Sequence, residues 1–533
     1  MINPPRYFET IRTQASRRWD QLERDPDLAA PWHQLFKQVQ SPRHVLSELL
    51  QNADDAGASN ASAKVENNEF IFEHDGVDFE EDHFASLCKF GYSNKRNLHT
   101  IGFRGIGFKS TFSLGDEVRL LTPTLSVLFN RNRFTEPVWI AHDGNIGTTQ
   151  IRIPIKDNYR RQELEKNLLE WSSSPLSLLF FRNIQRLTIH GRVIHRHSVG
   201  RGPLDGAEWV KLSDEQGKPY LLIRSQAEPF PKEALEEIRE ERMGSAEFDL
   251  PPCQIDLVAG VEGDQRLFVV LPTGVKTKLS FTCNAPFVQD PGRLKIKDPE
   301  ISPTNRWLLE RAGGLAASAL LAWLRREDLG LEERSMAYML FPDIDCEDNS
   351  LEGVCATICE KAFESEIKDK EFLLTEEGRL VGIGGCFTVP SRLYDVWKPG
   401  EISKILDSKS RPLTYREIPT DALQALINWG VVDSVKKDRV LAVLESESVP
   451  RPETWRQLLL LWDFVADEVY QKRYYSTNHN TVRIFPVHER EILLPASKIV
   501  RLGEKRLLSS SEDWDFLSDY LLVLNQNWTR FLA

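Results

Sequence analysis

Between residues 41 and 57 the chain reads SPRHVLSELLQNADDAG, and its apolar positions Val45, Leu46, Leu49, Leu50 and Ala53 recur on one helical face. Ser41 as N-cap, Pro42 at the first helical position and Gly57 past the last turn give this predicted helix two ends. Alternation through Phe70, Ile71, Phe72 and Glu73 predicts a strand that delivers Asp75 and turns at Gly76. TIGFRGIGFKSTF spaces Gly102, Gly105 and Gly107 ahead of a second helix start at Lys109, Ser110 and Thr111.

Past residue 160 the pattern changes to strands and turns. LTIHGRVIHRHSV, AEWVKLSDEQGKPYLLIRS with a hairpin turn at 215–218, CQIDLVAG and RLFVVLPT predict a sheet, and PTNRWLLERAGGLAASALLAWLRRE predicts a long helix after it. Beyond residue 341, EFLLTEEGRLV with TVPSRLYDVW, and VRIFPVHEREILLPASKIV, each join two apolar runs through a charged turn, which suggests two weakly related β-rich modules. DALQALINWGVV, RVLAVLES and ETWRQLLLLWDFVADEVYQ between them predict amphipathic helices. The expected class is α+β, with domains at 1–160, 161–340 and 341–533.

Glu48, Asn52 and Asp55 lie at i, i+4 and i+7, so two carboxylates and a carboxamide share one side of the first helix. Spacing alone allows either a solvated face or a site for a metal nucleotide. A carboxylate at Asp75 can accept a hydrogen bond from an exocyclic amine, which separates adenine from guanine. The backbone N–H groups following the glycine loop suit phosphates.

The order of these segments resembles the Bergerat-fold ATPases, the GHKL group of gyrase B, the 90-kDa heat-shock chaperones, MutL and histidine kinases. ELLQNADDA matches the group's first box at Glu48, Asn52, Asp55 and Ala56, and IGFRGIGFKS looks like the lid box of the heat-shock chaperones. GYSNKR places Ser93 and Lys95 where relatives keep a phosphate-proximal Ser or Thr and often a Lys, and GTTQIRIPI resembles the closing strand. The resemblance implies a Bergerat (GHKL) α/β sandwich that binds ATP and Mg²⁺, followed by an α+β middle domain and mixed helical and β modules. It implies that Glu48 polarises the attacking water, Asn52 coordinates Mg²⁺ and Asp75 reads adenine. Asp55, Gly76, Ser93, Lys95, Gly102, Gly105, Ile106, Gly107, Phe108 and Lys109 would line the nucleotide, and Thr148 would support Asp75 directly or through water.

Two departures narrow the subfamily. Val77 and Phe79 replace the glycines usual two and four residues after the adenine Asp, and Ser59 stands where the large chaperones carry Lys. The HDGxxF variant followed by LCxxGxSxK looks like sacsin and its bacterial and plant relatives, including the NO VEIN type.

In that group the second domain presents a cation to the γ-phosphate, where charge develops during transfer. LSFTCNAPFVQDPGRLKIKDP loosely resembles the chaperone catalytic loop, which implies Arg293 with Asn284 in support; Lys276 and Lys278 are the second choice. A solvated basic strand containing Lys295 and Lys297 is the alternative reading of the same residues.

Composition bounds the partners. The net charge of −12 argues against a generic nucleic-acid surface, and Lys and Arg read as scattered rather than clustered. Seven cysteines in 533 residues suit a reducing compartment, and Cys346, Cys355 and Cys359 lack a nearby His, which favours core packing over a metal site. The longest apolar stretch, 315–324, is about half a bilayer span. The N-terminal segment carries Arg6, Arg12, Arg17 and Arg18 with Glu9 and Asp20 but no apolar core, so neither a signal nor a transit peptide is expected. The expectation is a cytoplasmic ATPase without membrane contact, a chaperone-like remodelling machine of the sacsin type. The alternative is an ATP-gated nucleic-acid clamp or the ATPase of a bacterial antiviral defence system. The client, protein or nucleic acid, stays open, as do further domains or partner subunits and the oligomeric state, for which relatives suggest an ATP-dependent homodimer.

Overall fold

The first strand pair shows how local sequence sets this architecture. Strands β1 (Asn60–Glu66) and β2 (Glu69–His74) are joined through Asn67 and Asn68, whose φ values of 48° and 62° lie where Asn is tolerated. That turn fixes the register Ala61↔His74 through Glu66↔Glu69. Ala61, Ala63, Phe70 and Phe72 therefore share one buried face, and Ser62, Lys64 and Glu73 share the other.

The structure is a computed structural model that describes residues 3–25, 42, 45–89, 108–141, 146–173, 175–212, 218–242, 250–261, 263, 265–290, 295–342, 348–446, 448–471, 481–485 and 491–495. The chain is a mixed α+β protein that divides into two units, one of residues 1–316 and 344–363, the other of 317–343 and 364–533. The boundary expected at 160 falls inside the first unit, and that expected at 340 falls inside a segment of the second.

In the first unit the remaining strands are β3 (Glu117–Leu121), β4 (Ser126–Asn130), β5 (Pro137–Trp139), β6 (Thr149–Pro154), β7 (Arg186–Ile189), β8 (Arg192–Arg201), β9 (Ala207–Leu212), β10 (Tyr220–Arg224), β11 (Asp256–Ala259), β12 (Arg266–Val269), β13 (Leu271–Lys276) and β14 (Phe281–Asn284). They form one sheet in the order β13-β12-β14-β11-β10-β9-β8-β7-β1-β2-β6-β3-β4-β5. The ten-residue β8 holds its two halves together: its first part pairs with β7 and its second with β9. β7 runs parallel to β1, with Asn60 opposite Arg186.

Helices α1 (Phe8–Arg24), α2 (Val45–Asp55), α3 (Glu81–Leu87) and α4 (Asn158–Ser173) contribute to the core of the first half. Phe8 of α1 packs against Phe84 and Trp139, with ring centroids 6.0 and 5.1 Å away. Val45, Leu46, Leu49, Leu50 and Ala53 of α2 join Phe70, Phe72, Ile151 and Leu187 in the same core. Each large apolar side chain buried there stabilises by about 1.5–3 kcal/mol relative to exposure.

The second half is apolar on both faces. Leu221, Ile223, Leu257 and Phe281 line one, while Val210, Leu222 and Val258 meet Leu179, Phe180 and Phe268 on the other. Helix α5 (Lys232–Arg242) supplies Glu237, which accepts hydrogen bonds from Ser302 Oγ and Thr304 N at the start of α6 (Pro303–Leu324) and from Lys297 Nζ at 2.9 Å. Lys297 is therefore paired rather than part of a solvated basic strand.

The second unit contains α7 (Leu331–Ser335), and α8 (Leu351–Ile367) begins in the first unit. Cys355 and Cys359 of α8 are buried, and burial pushes the Cys355 thiol up to about 12. Strand pairs β15 (Leu373–Leu374) with β16 (Leu380–Val381), and β19 (Arg483–Phe485) with β20 (Leu494–Pro495), form two antiparallel hairpins in the segments read as β modules. Between them β17 (Phe387–Thr388) pairs in parallel with β18 (Asp433–Ser434). Helices α9 (Pro399–Leu406), α11 (Lys437–Ser446) and α12 (Trp455–Gln471) contribute Ile402, Val440, Leu461 and Trp462 to one core, with α10 (Thr420–Asn428) alongside in sequence. No helix among the described residues is long and apolar enough to cross a membrane.

Candidate functional site

Helix α2 ends in a Schellman closure: Ala58 N bonds Ala53 O at 3.0 Å, Gly57 N bonds Asp54 O at 2.9 Å, and Gly57 adopts φ +72°. This stops the helix directly after Asn52 and Asp55, which are half-buried, and leaves Glu48 8% exposed near its start. A carboxylate that deep is costly unless neighbouring groups compensate it, which makes Glu48 unusual on an otherwise apolar turn.

The end of α2 is laced to the end of β2. Val77 N donates to Ala56 O at 2.9 Å, and a Cβ at Gly76 would stand 2.8 Å from Ala56 O, so only glycine permits this approach. Asp75 Oδ1 accepts from Ser59 N and Asn60 N, both at 2.8 Å, and Oδ2 accepts from Asn60 Nδ2 at 2.6 Å. Burial raises the Asp75 carboxyl, but the Asn60 and Ser59 donors outweigh it and hold the group below the usual carboxylate range. Asp75 thus sits where the strand prediction puts it, with its carboxylate engaged by the α2–β1 turn.

Thr148 does not reach Asp75 directly. Its hydroxyl donates to Glu73 Oε1 at 2.6 Å. Alternation explains this: Thr149, Ile151 and Ile153 point into the core, Thr149 lies opposite His74, and Thr148 belongs to the other face with Glu73. Thr149 Oγ1 is buried with no hydrogen-bond partner. The alternating burial of the IRIPI segment carries the signal that would have singled out Thr149.

His74, at the last position of β2, was not among the expected site residues. It is buried, its Nδ1 accepts from Gly76 N at 3.1 Å, and burial, opposed by Asp75 and Glu73, pushes it down to about 4. It is therefore neutral at physiological pH.

Phe108 to Ser113 form a fully buried 3₁₀ turn. Lys109 within it is 3% exposed, its Nζ donates to Leu87 O at the end of α3, and it lies 5.4 and 5.8 Å from the ring centroids of Phe108 and Phe129. Burial pushes Lys109 down to about 8. The neighbouring Ser110 Oγ is buried without a hydrogen-bond partner, as is Gln51 Oε1 on α2.

Ser93, Lys95, Gly102, Gly105, Ile106, Gly107 and Arg293 lie outside the described residues. Asn284 serves the sheet: its Oδ1 accepts from Val270 N at 2.7 Å and its Nδ2 donates to Asp256 at 2.9 Å. Lys276 and Lys278 are exposed.

Asp54, between the residues the stripe singled out, has a role the sequence did not announce. It is 4% exposed and accepts backbone N–H groups from Arg182, Asn183 and Ile184 at 3.1, 2.8 and 3.0 Å. The helix that carries Glu48, Asn52 and Asp55 is thereby fixed to the segment entering β7.

The donor set suits Mg²⁺ with a nucleotide. Glu48, Asn52 and Asp55 offer hard oxygens, and the orphaned Ser110 and Thr149 hydroxyls and Gln51 carbonyl are buried groups that a polar ligand could satisfy. Neither a protein-family model nor a curated protein matches the chain.

Proposed function

We propose that the chain binds ATP with Mg²⁺ in a Bergerat-type (GHKL) site and hydrolyses it to drive rearrangement of its domains. The observation that carries this reading is the lacing of α2 to the end of β2, which joins the helix of Glu48, Asn52 and Asp55 to Asp75 through Ala56 and Gly76. Unsatisfied hydroxyls at Ser110 and Thr149 add support.

In this reading Asn52 would hold Mg²⁺, which would supply positive charge against the phosphates. Binding a metal through one carboxamide and the nucleotide itself requires no cage of protein carboxylates. Glu48 accepts a proton from water as its oxygen attacks the γ-phosphorus; the bond to the β–γ bridging oxygen breaks, and ADP and phosphate leave. A base so placed supplies ~10² to 10⁴ in rate. Asp75 accepts a hydrogen bond from the adenine amine in addition to, or in exchange for, its Asn60 contact. Arg293 supplies the cation at the γ-phosphate, with Lys276 or Lys278 as the second choice.

The cycle then serves chaperone-like remodelling of a client in the cytoplasm. A second reading, a nucleic-acid clamp or defence ATPase, is favoured by exposed arginines on β7 and β8 that lack carboxylate partners among the described residues. The test of the site is a thermal-shift titration of the purified chain with ATP, in Mg²⁺ and in EDTA, beside Asn52→Ala. Binding raises the melting temperature by mass action. The expected result is a shift that depends on Mg²⁺ and disappears in the variant; an equal shift in the variant rejects Asn52 as the metal ligand.

A further inference from the structure

The end of β2 and the start of β6 meet beside the start of β1. His74 is the last residue of β2, and register sets it opposite Thr149, the first residue of β6, and opposite Ala61 of β1. Side chains directly opposite in antiparallel strands share a face, with Cβ atoms about 4.5–5.5 Å apart. His74 also follows Phe72 by two residues, and their ring centroids lie 6.0 Å apart on the buried side of the sheet.

Each side chain of the His74–Thr149 pair has an unused polar group. Gly76 N donates to His74 Nδ1 and the ring is neutral, so its proton sits on Nε2. That Nε2–H donates to nothing among the described residues, although His74 is only 6% exposed. Thr149 is 1% exposed, and its hydroxyl has no partner either. Buried polar groups are nearly always hydrogen-bonded, and leaving one unpaired is destabilising. Two of them side by side present a donor and a hydroxyl that a ligand can satisfy.

The last turn of α2 reaches the same place. A Cβ at Gly76 would stand 3.0 Å from both Ala56 Cβ and His74 Nδ1, so Ala56 and the imidazole flank Gly76. Ala56 N bonds Asn52 O at 3.0 Å, which sets Ala56 one helical turn beyond Asn52 on the same face. The pair thus lies one turn along from the proposed Mg²⁺ ligand, on the side away from Glu48. Asp75 is less free than its neighbour, because its carboxylate already accepts three N–H groups of the α2–β1 turn.

We infer that His74 and Thr149 read the base of the bound nucleotide, an inference that rests on the ATP site proposed above. His74 Nε2–H donates to N1 of adenine, and Thr149 Oγ1 accepts one hydrogen of the adjacent amine. The second amine hydrogen is left for Asp75. The edge of adenine that pairs with another base sets an acceptor nitrogen beside an amine, which is what an imidazole N–H beside a hydroxyl can meet. A site built to hydrogen-bond its ligand discriminates strongly, because an analogue lacking the matching group leaves buried polar atoms unpaired.

The experiment is isothermal titration of the full chain in Mg²⁺ with three triphosphates: ATP, 1-deaza-ATP, in which CH replaces N1, and purine riboside triphosphate, which lacks the amine. His74→Phe and Thr149→Val are titrated beside the wild-type chain. The wild-type chain is expected to bind ATP about tenfold or more tighter than either analogue. His74→Phe, which keeps a ring and removes the donor, binds ATP and 1-deaza-ATP alike. Thr149→Val, which keeps the shape and removes the hydroxyl, weakens ATP and narrows its lead over purine riboside triphosphate. Its melting temperature without nucleotide does not fall, since the hydroxyl it removes has no partner. That variant decides the matter even if His74→Phe fails to fold. The inference is overturned if the wild-type chain binds 1-deaza-ATP as tightly as ATP, if His74→Phe keeps the preference, or if Thr149→Val melts lower or binds ATP as tightly as wild type. In each of those cases ATP still binds and the ATP site stands, whereas a wild-type chain that binds no triphosphate rejects both.

Discussion

Asn60 Nδ2 donates to Asp75 Oδ2 at 2.6 Å, and the same Asn60 stands opposite Arg186 in the parallel pairing of β1 with β7. One residue thus touches the carboxylate proposed to read adenine and borders β7. Asp75 is at once a binding candidate and a structural tie of the α2–β1 turn.

That double engagement sets the outcome of Asp75→Ala. Loss of three hydrogen bonds should lower stability by about 1–2 kcal/mol at pH 7, as for a lost cap, and ATP binding should be lost as well. Because the folded carboxyl is held below its ordinary value, its contribution is complete above about pH 4 and fades as pH falls through the folded value. Urea denaturation of both proteins at pH 7 and pH 3 checks this: the gap should narrow at the lower pH.

Lys109 gives the opposite sign. Below about pH 8 the lysine is charged in both states and the folded chain carries the cost of burying it. Between pH 8 and about 10.4 the unfolded lysine keeps its proton while the folded one loses it, so stability rises across that window. The shift corresponds to on the order of 3 kcal/mol, against which loss of the bond to Leu87 O sets about 1 kcal/mol. Lys109→Met should therefore stabilise by about 2 kcal/mol at pH 7, with the gain vanishing near pH 10 in parallel denaturation curves. Lower stability at pH 7 would mean that the ammonium is better solvated than its burial suggests.

Asp54→Ala removes the acceptor of three backbone N–H groups in a buried place. The expected loss is about 2–4 kcal/mol, larger than for Asp55→Ala, whose side chain is half-buried. Chemical denaturation of the two variants side by side orders them; equal losses would contradict the anchoring role.

Helix α2 and strand β2 were legible because their periods and the Gly57 stop are local, and Gly57 and Gly76 stand where backbone geometry requires them; β6 was expected through the resemblance, and Ser41, read as the N-cap, lies outside the described residues. Helices α10, α11 and α12 of the second unit were legible for the same reason. Three features were not. Asp54 and Asp55 are adjacent acids, and only the approach of residues 182–184, far along the chain, gives Asp54 its buried role. Thr148 and Thr149 are adjacent threonines separated by strand parity. The sheet continues past residue 160 through β7 and β8, because β7 returns to pair with β1 by a long-range parallel register that no local pattern announces.

The central claim is tested most directly by steady-state Mg²⁺-dependent phosphate release from ATP by the purified chain beside Glu48→Ala. The account predicts turnover by the wild-type chain that falls about 10²-fold or more in the variant, with ATP binding retained. Turnover by Glu48→Ala at the wild-type rate would contradict it and remove Glu48 as the base.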